Sequence, residues 1–279
     1  MNPARRPKEI RLTHWSEFEP ALERIRKALS ERQTEFGPKF GATLFRGHGN
    51  STWKLQTTLE REHPNERSLL KYYRKASGAK PHIETFSGKR WDKLPTFPEF
   101  EQSLKDNVSW VDLTLSNTSE FYEYLVYLRH RFFPSPLLDW TASPYVAAFF
   151  AFDEVDERAK RVSIHAVLRG PFGAGSSEKH YEFVGPYMRT DPRHLLQQSH
   201  YSWCMDIPNQ QFKPHEEAIW DAVGAKGEVF KITIPVSERR TALEHLDLMN
   251  INRFSLFGSE DSLVRTIARC ECEFKDWNL

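Results

Sequence analysis

Residues 136–152 read PLLDWTASPYVAAFFAF, and no other stretch constrains the fold as much. Pro134 and Pro136 break any helix that precedes it. Leu137 to Trp140 then reads as a short extended piece. Ser143 followed by Pro144 is a strong helix start, with serine at the N-cap and proline at the first helical position. Residues 143–152 are otherwise almost wholly apolar, so this helix must be buried on most sides.

The rest of the chain supplies what buries it. Ser16 is a candidate N-cap for an amphipathic helix over 15–35, with Phe18, Leu22, Ile25 and Leu29 at helical spacing, ended near Gly37 and Pro38. Residues 42–46 read as a short strand running into Gly47. A helix is predicted over 65–76, and a loop over 78–96, where Gly78, Pro81, Gly88 and Pro95 fall among charges. Helices follow at 98–106 and 118–132. Strands are predicted at 161–168 and 228–234, with 180–204 partly extended, and helices at 238–250 and 259–269. No repeat or low-complexity segment interrupts this order. Strands and helices do not alternate regularly, so the predicted class is α+β, a small central mixed or antiparallel sheet with surrounding helices.

Apolar residues are 39% and aromatics 13% of the 279, enough for a substantial core. Lys and Arg number 39 against 38 Asp and Glu, so there is no global electrostatic footprint for nucleic acid, although local basic patches remain open. Cys204, Cys270 and Cys272 are too few and too badly spaced for a disulfide framework and read as free thiols of a reducing compartment. The start, MNPARRPKEIRLTHW, has no apolar core of a secretory signal, and no apolar run approaches the ~20 residues that span a bilayer. The expectation is a soluble, cytoplasmic protein with no membrane partner; nothing sets its oligomeric state.

Three stretches carry candidate chemistry. In LFRG, 44–47, a strand-like pair delivers an arginine and a glycine. Arg46 offers a permanent bidentate donor suited to phosphate or carboxylate, and Gly47 allows close backbone approach of a ligand. Taken alone, four residues fit an arginine in a structural salt bridge better. In the second stretch, Asp139, Trp140 and Thr141 crowd the strand–helix junction and need partners. Either they cap the helix and pair locally, or they line a pocket where the helix N-terminus favours anions. The third, DPRHLLQQSHYSWC at 191–204, sets Arg193, His194, Gln197, Gln198 and His200 among aromatics and fits an irregular amphipathic edge. His194 and His200 have a single acidic residue nearby, Asp191, so no metal site is expected. There is no phosphate-binding loop, dinucleotide glycine fingerprint or nucleophile elbow, while a spatial Ser-His-Asp triad stays open.

In this order, the three stretches resemble the FRG-domain family, named for a Phe-Arg-Gly motif that is Phe45-Arg46-Gly47 here. Its pattern continues with an aromatic, a leucine and an arginine, matched by Trp53, Leu55 and Arg61. Its second motif, built on LLDWT-x-SP, resembles RHRFFPSPLLDWTASPYVAAFFA from His130 onward. A third is similar to Arg193 through Tyr201, and INRFSLFGSEDSL resembles the closing segment. The similarity spans most of residues 41–265. Arg129 stands where the family has glutamine, Phe132 and Ser199 where it has glycine, and Gly258 where it has proline. The resemblance implies an FRG domain over 41–279 with a helical insertion around 65–132, behind an N-terminal helical extension over 1–40.

A more distant similarity in motif order is to NAD-dependent ADP-ribosyltransferases, which implies their fold and NAD as a substrate. By order, Arg46 fixes NAD, Thr141 or Ser143 shapes the nicotinamide pocket, and Gln197 acts on the acceptor or the ribose. Arg46, Thr141 and Gln197 are thus the implied catalytic residues. Phe45, Gly47, Trp53, Arg61, His130, Asp139 and Trp140 join Arg46, Thr141 and Ser143 as the implied NAD-binding set. Departure of nicotinamide leaves an oxocarbenium-like ribose, and glutamine supplies no negative charge to stabilise it. A carboxylate would then come from Asp139, Glu60 or Glu216, so NAD binding is expected ahead of turnover. The implied role is a bacterial toxin or phage-defence effector acting on a protein or nucleic acid. The competing expectations are a single-stranded nucleic-acid-binding module and a non-catalytic interaction domain in which Arg46 and Asp139 are buried partners.

Overall fold

The computed structural model describes residues 7–36, 43–106, 120–168, 181–184, 190–206, 208–222 and 229–275. Its strands are β1 (Lys8–Arg11), β2 (Thr43–His48), β3 (Leu138–Thr141), β4 (Arg161–Leu168), β5 (Tyr181–Val184), β6 (Ser199–Asp206), β7 (Gln211–Phe212) and β8 (Val229–Pro235). They form a mixed sheet in the order β1-β8-β4-β2-β3-β6-β5, with β7 paired to β6. β1 runs parallel to β8 and the other pairs are antiparallel. The helices are α1 (Phe18–Phe36), α2 (Thr58–Glu62), α3 (Leu69–Ser87), α4 (Phe97–Lys105), α5 (Glu120–His130), α6 (Pro144–Asp153), α7 (Pro192–Leu196), α8 (His215–Ala222), α9 (Arg239–Leu248), α10 (Arg253–Phe257) and α11 (Glu260–Arg269). The class is α+β.

Side chains alternate across each strand, so the sheet has two faces with separate cores. Phe45, Ile164, Ala166, Ile232 and Ile234 pack beneath α6, α1 and α9. Farther along, Tyr201, Trp203 and Met205 meet an aromatic cluster from α3, α4 and α5. Leu44, Leu138, Trp140, Val167 and Val229 pack against Ile219 and Trp220 of α8 in a third cluster.

Helix α6 is the buried helix that the apolar run requires. Val146, Ala147, Ala148, Phe149, Ala151 and Phe152 are each at most 3% exposed. Ser143 caps it, its hydroxyl accepting from the Val146 N–H at 3.3 Å. The helix lies so close to β2 that a Cβ built on Gly47 would stand 1.9 Å from the Ala147 carbonyl oxygen and 2.7 Å from the Ala151 nitrogen. At Gly49 it would stand 2.2 Å from the Glu154 carbonyl oxygen. The glycine of LFRG therefore admits a helix, where the sequence suggests a ligand.

Other expectations also change. Arg46 and Gly47 lie inside β2, which pairs with β4 through His48, so the arginine is not at the strand's end. Ser16 sits in a short 3-10 turn instead of capping α1, and the Glu17 carboxylate accepts from the Thr13 N–H at 3.3 Å. Helix α3 runs through Gly78 and Pro81 to Ser87, over much of the expected 78–96 loop. Burial of Tyr72, Tyr73 and Ala76 anchors it, and Ser68 and Gly88 cap its ends, which outweighs the local breakers. The segment read as an N-terminal extension supplies an edge strand and buries Leu12, Trp15, Phe18, Leu22, Ile25 and Leu29 in the main core. Helices α2, α7, α8 and α10 and the short strands β1 and β7 escape the sequence reading. Among the described residues no helix is long and apolar enough to cross a membrane.

Gly258, where the related pattern has proline, caps α10 at φ 63. Proline is locked near φ −65 and cannot take that conformation. Gly258→Ala is expected to lower stability by about 1–2 kcal/mol in urea unfolding, because only glycine adopts the left-handed region freely.

Candidate functional site

Strands β2 and β3 pair at a single residue couple, Phe45 with Thr141. Where they part, the Arg46 side chain fills the gap, its Nη1 donating to the Asp139 carbonyl oxygen at 2.7 Å. A guanidinium thus stands in for a missing ladder N–H. The Asp139 carboxylate is held chiefly by Arg129, from the last turn of α5, whose Nε and Nη2 donate to Oδ2 at 3.1 and 2.5 Å. Arg46 Nη1 is 3.7 Å from the same oxygen. The side chains of Arg46, Arg129 and Asp139 are 15%, 19% and 32% exposed, so the cluster is sheltered yet reaches solvent.

Its electrostatics are lopsided. Burial brings the Arg46 guanidinium down to about 10; Asp139 opposes that drop, while Arg129 and Arg61 add to it. Asp139 pushes the Arg129 guanidinium up against the effect of burial. Burial alone would raise the Asp139 carboxyl, but Arg129 and Arg46 together hold it below its ordinary value. Arg61, which acts on Arg46, is exposed on α2. Residues 41–160 match the model of the FRG domain.

Residues 41–160 are an FRG domain.

No curated protein and no solved structure matches the chain. The matched segment contains Arg46, Arg61, Arg129, Asp139 and α6, whereas Arg193 and Gln197 lie beyond it. Two motifs of the FRG domain explain each other physically: the glycine of Phe45-Arg46-Gly47 is the floor on which Ala147 and Ala151 rest.

Several predicted site residues are engaged internally. Phe45 is core, 6% exposed. Trp140 Nε1 donates to Ser202 Oγ at 2.8 Å. Thr141 Oγ1 donates to the Gln197 carbonyl at 2.7 Å and accepts from the Ser143 N–H at 3.1 Å. Gln197 Nε2 donates to the Leu256 carbonyl at 3.1 Å, so its amide ties α7 to α10. His130 Nε2 is 2.9 Å from the Tyr201 hydroxyl, which also lies 3.3 Å from His194 Nδ1. The local-pairing alternative for the Asp139-Trp140-Thr141 junction describes Trp140, Thr141 and Ser143, while Asp139 joins the arginine cluster. Among the described residues no group of three His, Cys, Asp or Glu could hold a metal.

Sequence reading missed a polar row beside Arg46. In the antiparallel ladder Arg46 opposes His165, which opposes Lys231, and His48 opposes Ser163, which opposes Thr233. Opposed residues share a face, so these six side chains lie together. The signal was legible as alternation: Ser163 and His165 in RVSIHAVL, and Lys231 and Thr233 in VFKITIP, are polar at every second position.

Burial, reinforced by His165, Arg46, Lys231 and Arg61, depresses His48 well below its ordinary 6.5. Burial, Lys231 and Arg46 bring His165 to about 3. Both imidazoles are uncharged in the fold, so below about pH 6.5 the unfolded chain binds more protons and stability falls as pH drops toward 3. Urea unfolding between pH 6.5 and 5 should show a loss of up to about 1.4 kcal/mol per pH unit from each imidazole. Replacing both histidines by glutamine should flatten that slope; an unchanged slope contradicts the assignment.

Proposed function

We propose that the FRG domain binds NAD through its diphosphate at Arg46 and acts as an ADP-ribosyltransferase-like enzyme. The observation that carries this reading is the charge around Arg46: Arg46 and Arg129 share the Asp139 carboxylate, Arg129 and Arg61 both act on Arg46, and Glu62 acts on Arg129. A diphosphate supplies the missing negative charge and acceptors matched to guanidinium forks.

Transfer also needs a carboxylate near the ribose. Asp139 is engaged by Arg129. Glu60 accepts from the His215 backbone N–H, and its Oε1 lies 2.7 Å from His215 Nδ1. Glu216 fits better: burial raises its carboxyl, opposed by Lys54 and Lys231, and Lys231 in turn acts on His48 and His165. A developing oxocarbenium ribose would gain from that charge. In the transfer, the bond from ribose C1′ to nicotinamide breaks with its electron pair leaving on nicotinamide. A nucleophile of a protein or nucleic-acid acceptor then bonds C1′ and loses its proton. Thr141 and Gln197 would position the α7 segment rather than touch the ribose.

A nucleic-acid stacking role draws less support: Phe132 is 88% exposed, but Tyr201 and Trp203 are 0% and 5% exposed and offer no free face. Incubation with NAD labelled in nicotinamide tests the transfer. Wild type should release label, and Glu216→Gln should release it about 100-fold more slowly with NAD affinity kept. Binding without release in the presence of protein and nucleic-acid acceptors would leave a binding domain and remove the enzyme.

A further inference from the structure

Among the described residues, three buried groups of the polar row find no hydrogen-bond partner: His48 Nδ1, Ser163 Oγ and His165 Nδ1, with the His48 and His165 rings edge to face at 5.0 Å. Their residues are 5%, 0% and 4% exposed. Buried polar atoms are ordinarily paired, and three neighbouring exceptions on one sheet face call for a cause. Arg46 Nε donates to His48 Nε2 at 3.1 Å, which fixes the proton of this neutral imidazole on Nδ1. Nδ1 is therefore a donor, the Ser163 hydroxyl can donate or accept, and neutral His165 offers either role at Nδ1. Above them runs the loop after β2. Its Ser51 carbonyl accepts from Lys231 Nζ at 2.6 Å, and its Trp53 ring, 42% exposed, stands 6.3 Å from the His48 ring.

We propose that this row is a subsite for a neutral purine, the adenine end of the dinucleotide, which stacks on Trp53 and hydrogen-bonds to His48, Ser163 and His165. The proposal rests on the diphosphate reading of Arg46 and adds the orientation of the ligand. Adenine presents ring-nitrogen acceptors to the His48 N–H and the Ser163 hydroxyl, and an amino donor to His165. The nicotinamide ring of NAD is a cation, and Arg46, Arg61 and Lys231 all act electrostatically on His48, so their field disfavours it here. Entry requires the Trp53 loop to lift, which opens the Lys231–Ser51 hydrogen bond.

Calorimetric titration of AMP, nicotinamide mononucleotide and inorganic pyrophosphate into wild type, Ser163→Ala, Trp53→Ala and Arg46→Ala tests this. AMP should bind at least about 10-fold tighter than nicotinamide mononucleotide, the size of one stacking contact. Trp53→Ala and Ser163→Ala should each weaken AMP by about 10-fold and leave pyrophosphate affinity unchanged. Equal binding of the two mononucleotides, or unchanged AMP affinity in both variants with wild-type melting temperatures, would overturn the subsite while Arg46-dependent pyrophosphate binding stands. Failure of pyrophosphate to bind wild type would overturn the diphosphate reading and the subsite with it.

Discussion

Gly47→Ala is expected to prevent the chain from reaching its native fold. The added methyl would lie 1.9 Å from the Ala147 carbonyl oxygen and 2.7 Å from the Ala151 nitrogen, both backbone atoms of a helix buried on most sides. A flexible side chain could swing away from such a contact; a helix backbone locked between sheet and core cannot. Overpacking usually costs about 1–3 kcal/mol, and a clash with backbone belongs above that range, near 4 kcal/mol or more. Gly78→Ala is the control, because a Cβ there meets nothing within 4 Å and the position is helical. Alanine at 78 should raise stability by about 0.5–1 kcal/mol. Thermal unfolding of both variants makes the comparison. A Gly47→Ala protein that melts within a few degrees of wild type would show that α6 does not rest on β2 as described.

Asp139→Asn should produce two effects of opposite sign. Without ligand, loss of the carboxylate leaves Arg46 and Arg129 facing each other across a sheltered site. Breaking a buried pair costs about 3–5 kcal/mol, and the partial exposure of Asp139 places this case at or below the lower end. Yet the variant should bind pyrophosphate more tightly than wild type, because the competing anion is gone. A purely internal ion network predicts the first effect without the second. The pH dependence has a definite sign. Arg129 and Arg46 hold the Asp139 carboxyl below its ordinary 3.8 despite burial. Its stabilising contribution is therefore complete above that value and is lost as pH falls through the lower folded value. The gap in stability between wild type and Asp139→Asn should close under those acidic conditions and stay constant near neutrality.

What the sequence disclosed depended on range. The helix at 143–152 was legible because Ser143, Pro144 and an apolar run act locally, and the structure caps it as expected. The strands at 161–168 and 228–234 were legible from their apolar content. The purpose of Gly47 was not, because it depends on which helix lies over β2, and Ala147 comes 100 residues later in the chain. Arg129 stood out as a departure from the family pattern, but its pairing with Asp139 required α5 to end over β3. The polar row shows the same limit. Alternation at 163 and 165 and at 231 and 233 was visible, but its convergence with Arg46 and His48 depends on the strand order β8-β4-β2. Gln197 was chosen by motif order alone, and its amide turns to Leu256.

The most direct measurement is calorimetric titration of NAD into wild type, Arg46→Ala and Arg46→Lys, with melting temperatures recorded for all three. Saturable binding to wild type is predicted, weakened about 100-fold by alanine, the worth of charge-assisted hydrogen bonds, and about 10-fold by lysine, which keeps the charge but loses the fork. Absence of binding to wild type, or equal affinity in three folded proteins, would contradict the assignment of Arg46 to a dinucleotide diphosphate.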